Sequence, residues 1–373
     1  MITRILQYQI EKDYHLNKAV VILGARQVGK TTLLHQLTRN KENVLELNAD
    51  DPSTRELLTG IGIKELEKII GKSEIVIIDE AQRIKDVGIT LKLITDHFPG
   101  IRLFVSGSSS LDLANEINEP LTGRKLTYQL FPLSFQEMKK HHGYWEEKQL
   151  LTQRLIFGYY PEIVTHKGDE IKLLNNLTNS YLYKDILNFG LIKKPVVLDK
   201  LLRALALQTG SEVSYNELAQ TVGADKETVE RYIDLLEKSF IVFKLNAFNR
   251  NVRNEIKKGK KIYFYDNGIR NAIIGDFKSF ELRTDKGALW ENFIISERIK
   301  YLHYSGFYGR YYFWRTTQQQ EIDFIEEIDG RFNVYEITTG KKRKKKISKT
   351  FLSNYPVAKN QIITLDNFDE FIS

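Results

Sequence analysis

The chain of 373 residues has no cysteine, and it has only two methionines and seven prolines. Without a thiol there is no disulfide staple, no thiolate nucleophile and no cysteine-based zinc site. No apolar run approaches the roughly eighteen residues that would mark a membrane span, and charged residues make up 28% of the sequence. Met1-Ile2-Thr3-Arg4-Ile5-Leu6 lacks the apolar core and small-residue cleavage site of a secretory leader. The expectation is a cytoplasmic protein without a membrane partner. The histidines are scattered, and His141-His142 lacks the spacing of a helical metal pair. The length suits two or three domains with real cores. A net charge of +7 favours a polyanionic partner, although many basic proteins never meet nucleic acid.

What the chain does have is Gly24-Ala25-Arg26-Gln27-Val28-Gly29-Lys30-Thr31, which fits G-x-x-x-x-G-K-[ST] at every fixed position. The apolar run Ala19 to Leu23 precedes it and a helix-forming stretch beginning at Thr32 follows. Strand, glycine turn and helix N-terminus in that order make a phosphate cradle, because backbone N–H groups and the helix dipole both favour an anion. Lys30 would reach the β- and γ-phosphates of ATP and Thr31 would hold Mg²⁺. Downstream, Ile75-Val76-Ile77-Ile78-Asp79-Glu80 reads as a buried parallel strand ending in two carboxylates. Asp79 is placed to support Mg²⁺ and Glu80 to polarise an attacking water. A third strand, Ile101 to Val105, leads into Ser106-Gly107-Ser108-Ser109-Ser110. Ser106 is the candidate to sense the γ-phosphate, with Ser108 in reserve, while Ser109 or Ser110 would cap a helix near Leu111. Arg124, after Pro120-Leu121-Thr122-Gly123, is a candidate to complete the site of a neighbouring subunit in a homo-oligomer; a surface ion pair is the plainer reading.

From Leu133 to about Phe189 the sequence reads as helices, including Ser134 to Lys140 and a long one from Asp169, which together suit a small lid. Pro195 to Gln208 is an amphipathic helix. Ser214 with Glu217 forms a capping box for a helix ending at Gly223, and a second helix runs from Asp225 to about Lys238. Strands over Phe240 to Phe248 and Lys261 to Tyr265 flank a basic loop, which completes the outline of a winged helix. On DNA, Arg250, Arg253, Lys257, Lys258, Lys260 and Lys261 would meet phosphates. Protein interaction is the other common use of such a module.

Ile322 to Ile328 and Arg331 to Thr338 are alternating strands around Asp329-Gly330, a two-residue hairpin signal. That turn places Asp323 opposite Glu336 and Glu321 opposite Thr338, all on one face. With Glu291 from a helix predicted over Ala288 to Lys300, Asp323 and Glu336 form a candidate second Mg²⁺ site for phosphodiester cleavage. Like charges directly opposite are otherwise destabilising. The run Lys341-Lys342-Arg343-Lys344-Lys345-Lys346 suits either a solvated surface or a nucleic-acid backbone.

Taken together, these segments resemble a prokaryotic family of predicted AAA+-type (ASCE P-loop) ATPases over essentially the whole length. Gly24 to Thr32 resembles its phosphate loop, Ile78-Asp79-Glu80-Ala81-Gln82 its second motif, and Leu121-Thr122-Gly123-Arg124 with Leu130 to Phe135 its linker. Lys261 to Asp266, Gly287 to Phe293 and Glu321-Ile322-Asp323-Phe324 are similar to its C-terminal domain of unknown function 4143. The resemblance implies an α/β fold in four parts. A P-loop ATPase core (1–132) would carry a helical lid (133–194), followed by a winged helix (195–275) and a restriction-endonuclease-like domain (276–373). It matches Asp323 and Glu336 to the acidic positions of a nuclease, but Thr338 stands where that site has lysine. A hydroxyl does not replace a cation beside an attacked phosphate, so the nuclease reading is weakened. The expected activity is ATP hydrolysis coupled to action at DNA. An ATP-regulated nuclease and a signalling or scaffold NTPase are the rivals.

Overall fold

The computed structural model describes residues 1–108, 117–182, 192, 194–249, 259–340 and 346–373. They form two compact units: residues 1–133 with 238–240, and residues 134–237 with 241–373.

The first unit is built on a five-stranded parallel sheet ordered β2-β3-β4-β1-β5. Its strands are β1 (Ala19–Leu23), β2 (Val44–Asn48), β3 (Ile75–Asp79), β4 (Arg102–Gly107) and β5 (Lys125–Gln129). Every residue of β1 and β3 is buried, as their unbroken β-branched and aliphatic runs require of strands covered on both faces. Each fully buried Val or Ile contributes about 1.5–3 kcal/mol. Edge strands β2 and β5 are only partly buried. Helices α1 (Ile5–Lys12), α2 (Lys30–Thr38), α3 (Pro52–Leu58), α4 (Ile63–Ile70) and α5 (Val87–His97) complete the unit. Val21, Leu23, Val76, Ile78, Leu91, Leu103 and Val105 share its core. The position of β4 matters most here. It lies between β1 and β3, so the C-terminal ends of all three meet at one place.

In the second unit, α6 (Phe135–His142) starts at the capping box of Ser134 and Glu137. Then follow α7 (Tyr144–Gln149), α8 (Leu151–Phe157), α9 (Pro161–Thr165) and α10 (Glu170–Asn176). The long helix expected from Asp169 widens into a π-helical turn at Leu177–Leu182. The Thr178 hydroxyl donates to the carbonyls of Leu174 and Asn175 there, at 2.8 and 3.2 Å, competing with the regular ladder. Next come α11 (Pro195–Leu207), β6 (Glu212–Val213), α12 (Tyr215–Val222) and α13 (Lys226–Lys238). Gly223, at φ +71°, takes the left-handed turn between the last two. Strands β7 (Val242–Asn246) and β8 (Lys260–Phe264) join β6 in an antiparallel sheet ordered β6-β8-β7.

The chain continues through α14 (Asn267–Ile274) and α15 (Lys286–Tyr304) into β9 (Arg310–Arg315), β10 (Glu321–Ile328) and β11 (Arg331–Ile337). It ends with α16 (Lys349–Asn354), β12 (Val357–Ile363) and α17 (Asp369–Ile372). The sheet order is β12-β11-β10-β9, with β11 and β12 parallel. Asp329 and Gly330 both have positive φ, +50° and +75°, as a type I′ turn demands. The ladder they set pairs Phe324 with Tyr335 and Ile328 with Arg331, the register expected from the sequence. Against β9 the register shifts between Ile322 and Ile325, a bulge that contains Asp323. A bridge from Ala247 to Phe313 and a 2.7 Å bond from the Phe248 N–H to the Phe313 carbonyl link this sheet to β7.

Candidate active site

The loop from Gly24 to Gly29 leaves β1 and delivers Lys30 as the first residue of α2. Its glycines are steric necessities. A Cβ on Gly24 would lie 2.3 Å from the Leu130 carbonyl oxygen, and Gly29 sits at φ +94°, where side chains are strained. Gln27 also adopts positive φ, +61°. Ala25 and Val28 bury their side chains, Arg26 and Gln27 are half-buried, and Thr32 is exposed on the first turn of α2. The Lys30 ammonium is buried and donates to the carbonyls of Gly24 and Ala25, both at 3.1 Å. It lies 3.8 Å from Glu80 Oε1.

Asp79 closes the other side. Its Oδ2 accepts from the Thr31 hydroxyl at 2.7 Å, and its Oδ1 accepts from the Ser106 hydroxyl. The next residue, Glu80, adopts φ +53°. That conformation is costly for a non-glycine residue and turns up where a site dictates the backbone. Its N–H donates to Asp79 Oδ1 at 3.1 Å and to Ser106 Oγ at 3.2 Å, which offsets the strain. The Glu80 carboxylate is held in turn by Gln82, whose amide nitrogen donates to Glu80 Oε2 at 2.7 Å and to Ser108 Oγ at 2.9 Å. Among the described residues, the Gln82 amide oxygen is buried with no hydrogen-bond partner. A buried acceptor left unmet is costly and marks a place where a polar group belongs.

An ammonium, a helix N-terminus, a hydroxyl and a carboxylate converge here, and these hard-oxygen and cationic donors fit Mg²⁺ and a triphosphate. The sequence reading missed one contributor. Arg4, 4% exposed, donates to the carbonyls of Val28 and Phe131, each at 2.6 Å. It pins the phosphate loop from a distant stretch of chain, and a lone arginine ahead of α1 carries no pattern that would reveal this.

Three of the expected residues are already engaged within the protein. Ser106 is fully buried and engaged with Asp79 and the Glu80 backbone, so the serine beside the Glu80 carboxylate is Ser108. Arg124 lies just ahead of β5, level with the start of β1 and away from the phosphate loop, and pairs with Asp96 at 2.5 Å. Lys261, read as a wing cation, is 2% exposed and points into the protein. Its ammonium lies 2.6 Å from Glu321 and 3.3 Å from Glu291.

The C-terminal carboxylates are therefore not gathered around an open cation site. Among the described residues, no group of three or more His, Asp or Glu side chains is placed to hold a metal. Asp323 and Glu336 are buried, and Asp323 Oδ2 accepts the Ile337 N–H at 2.7 Å. The Thr338 hydroxyl accepts the Gly340 N–H at 3.1 Å. Ser109, Ser110, Arg250, Arg253, Lys257, Lys258 and 341–345 lie outside the described residues; Lys346 is exposed. No described helix is long and apolar enough to cross a membrane.

Residues 16–139 match the AAA domain family, 148–279 a domain of unknown function 8612, and 286–371 the domain of unknown function 4143. An uncharacterized protein of Mycobacterium tuberculosis is 26% identical over 336 residues, covering 88% of this chain and 72% of its own. An uncharacterized protein of Methanocaldococcus jannaschii is 25% identical over 349 residues, covering 86% of this chain and 75% of its own. Among solved structures, a Walker-type ATPase of Pyrococcus abyssi aligns with a TM-score of 0.49 at 17% identity, over 74% of this chain and 96% of that one. The stretch that matches the AAA domain family holds the phosphate loop, Asp79 and Glu80.

Proposed function

We propose that the chain binds ATP with Mg²⁺ and hydrolyses it, and that hydrolysis governs contact with DNA. The observation that carries the hydrolytic reading is the bond between Thr31 and Asp79, with the neighbouring Lys30 and Glu80 3.8 Å from each other. Thr31 and Asp79 would hold Mg²⁺, which when bound neutralises phosphate charge and polarises phosphoryl oxygens. Lys30, now satisfied by two loop carbonyls, exchanges them for phosphate oxygens. Glu80 accepts a proton from, or orients, the attacking water. Gln82 fixes the Glu80 carboxylate against Ser108, and its unmet oxygen is available to the same water. Arg124 would act on a neighbouring copy only after leaving Asp96.

The DNA part of the proposal rests on the net charge of +7 and on the α12–α13 pair, preceded by β6 and followed by β7 and β8 of one sheet, a winged-helix outline. ATP turnover by the full chain tests the hydrolytic part. Lys30→Ala is expected to abolish nucleotide binding. Glu80→Gln is expected to keep binding but lower kcat by about 10²–10⁴-fold. Turnover by Lys30→Ala equal to that of the wild type would refute the reading.

A further inference from the structure

We propose that the Lys261 ammonium is the built-in cation of the C-terminal carboxylate cluster, occupying the place that the carboxylate pattern of the sequence offers to a divalent metal. The lysine comes from β8, while its partners come from the second turn of α15 and the start of β10. Its Nζ lies 2.6 Å from Glu321 Oε1 and 3.3 Å from Glu291 Oε1. The Tyr263 hydroxyl donates to the same Glu291 oxygen at 2.7 Å. The Phe313 ring centroid lies 5.4 Å from the ammonium, which adds a π face.

The chemistry argues against a metal joining them. A buried ammonium is tolerated only when charged partners surround it. Burial alone would push Lys261 towards neutrality, but Glu291, Asp323 and Glu321 together outweigh it and hold the group above the ordinary lysine value. Mg²⁺ demands near-octahedral oxygen ligands at about 2.0–2.1 Å. Here, unlike at Asp79, one of the donors to the carboxylates is itself a buried cation, since Glu291 Oε1 accepts from the Lys261 ammonium as well as from the Tyr263 hydroxyl. A dication entering the cluster would also face a fixed positive charge in low-dielectric surroundings, where like charges repel strongly. Lys261 explains why Glu321 and Asp323 sit together on one hairpin face without driving it apart. It also links the β6-β8-β7 sheet to α15 and the C-terminal hairpin.

The test is Mn²⁺ binding by the full-length, nucleotide-free protein, followed by electron paramagnetic resonance. All samples carry Asp79→Asn, so that uptake does not report the P-loop and the result is independent of whether ATP is hydrolysed. The parent is expected to show no Mn²⁺ uptake sensitive to Asp323→Asn. Lys261→Met, which keeps the aliphatic stem and removes the charge, is expected to gain about one Mn²⁺ per chain, lost again when Asp323→Asn is added. Mn²⁺ uptake by the parent that Asp323→Asn abolishes overturns the proposal, as does a folded Lys261→Met that binds none. If Lys261→Met does not fold, the parent measurement decides the matter, because a metal site coexisting with the lysine would be visible there.

Discussion

Gln82 joins the two groups nearest the expected reaction, Glu80 and Ser108, through a single amide nitrogen. An alanine there leaves Lys30, Thr31 and Asp79 untouched but frees the Glu80 carboxylate to rotate. Misplacing a reacting group by about 1 Å costs on the order of a hundredfold in rate. Gln82→Ala is therefore expected to lower kcat by about tenfold to a hundredfold with the KM for ATP nearly unchanged. Adding Ser108→Ala should cost little more, since the two act through one contact. Steady-state kinetics on the four proteins check this. Equal losses in KM and kcat, or full additivity, would count against Gln82 as a positioning residue.

At the scale of elements, an ion cluster contributes to the acid sensitivity of the second unit. Asp285, ahead of α15, accepts from Arg270 Nη1 at 2.6 Å and from Arg283 Nε and Nη2, both at 2.8 Å. Burial would raise its pKa, but the two guanidiniums outweigh that and hold it down to about 2. Because the folded value lies below the unfolded one, this stabilisation is complete above the unfolded carboxylate range and disappears as the pH falls towards 2. The group is partly solvated, so about 1–2 kcal/mol is at stake. Asp285→Asn should lower Tm at pH 7 and flatten its dependence on pH between roughly 4 and 2; an unchanged acid profile would contradict the assignment. Elements of this kind were readable from sequence only where the signal is local. The hairpin register followed from Asp329-Gly330, and α12 followed from Ser214 and Gly223, because a turn or cap dictates its neighbours within a few residues. The phosphate loop was legible for the same reason. The partnership of Lys261 with Glu291 and Glu321 was not, since it joins side chains 30 and 60 positions apart on three elements and appears only when the sheets meet. The π-helical turn at Leu177–Leu182 was likewise invisible in a leucine pattern that suits either winding.

For the whole molecule, the excess of positive charge gives a measurable expectation. If the α12–α13 module meets duplex DNA, the exposed Lys226 and Arg231 would contact phosphates. Log Kd should then rise linearly with log salt, with a slope of about 0.9 per phosphate neutralised. DNA should also change ATP turnover. Indifference of both quantities to DNA would transfer the module to protein recognition and leave the ATPase intact. On the nucleotide side, the saturated carboxylate of Asp79 has its own consequence. One oxygen is tied to Thr31, and the other to Ser106 and the Glu80 amide, so the acid is already aimed before any fuel arrives. Loading this engine should need little rearrangement at this carboxylate.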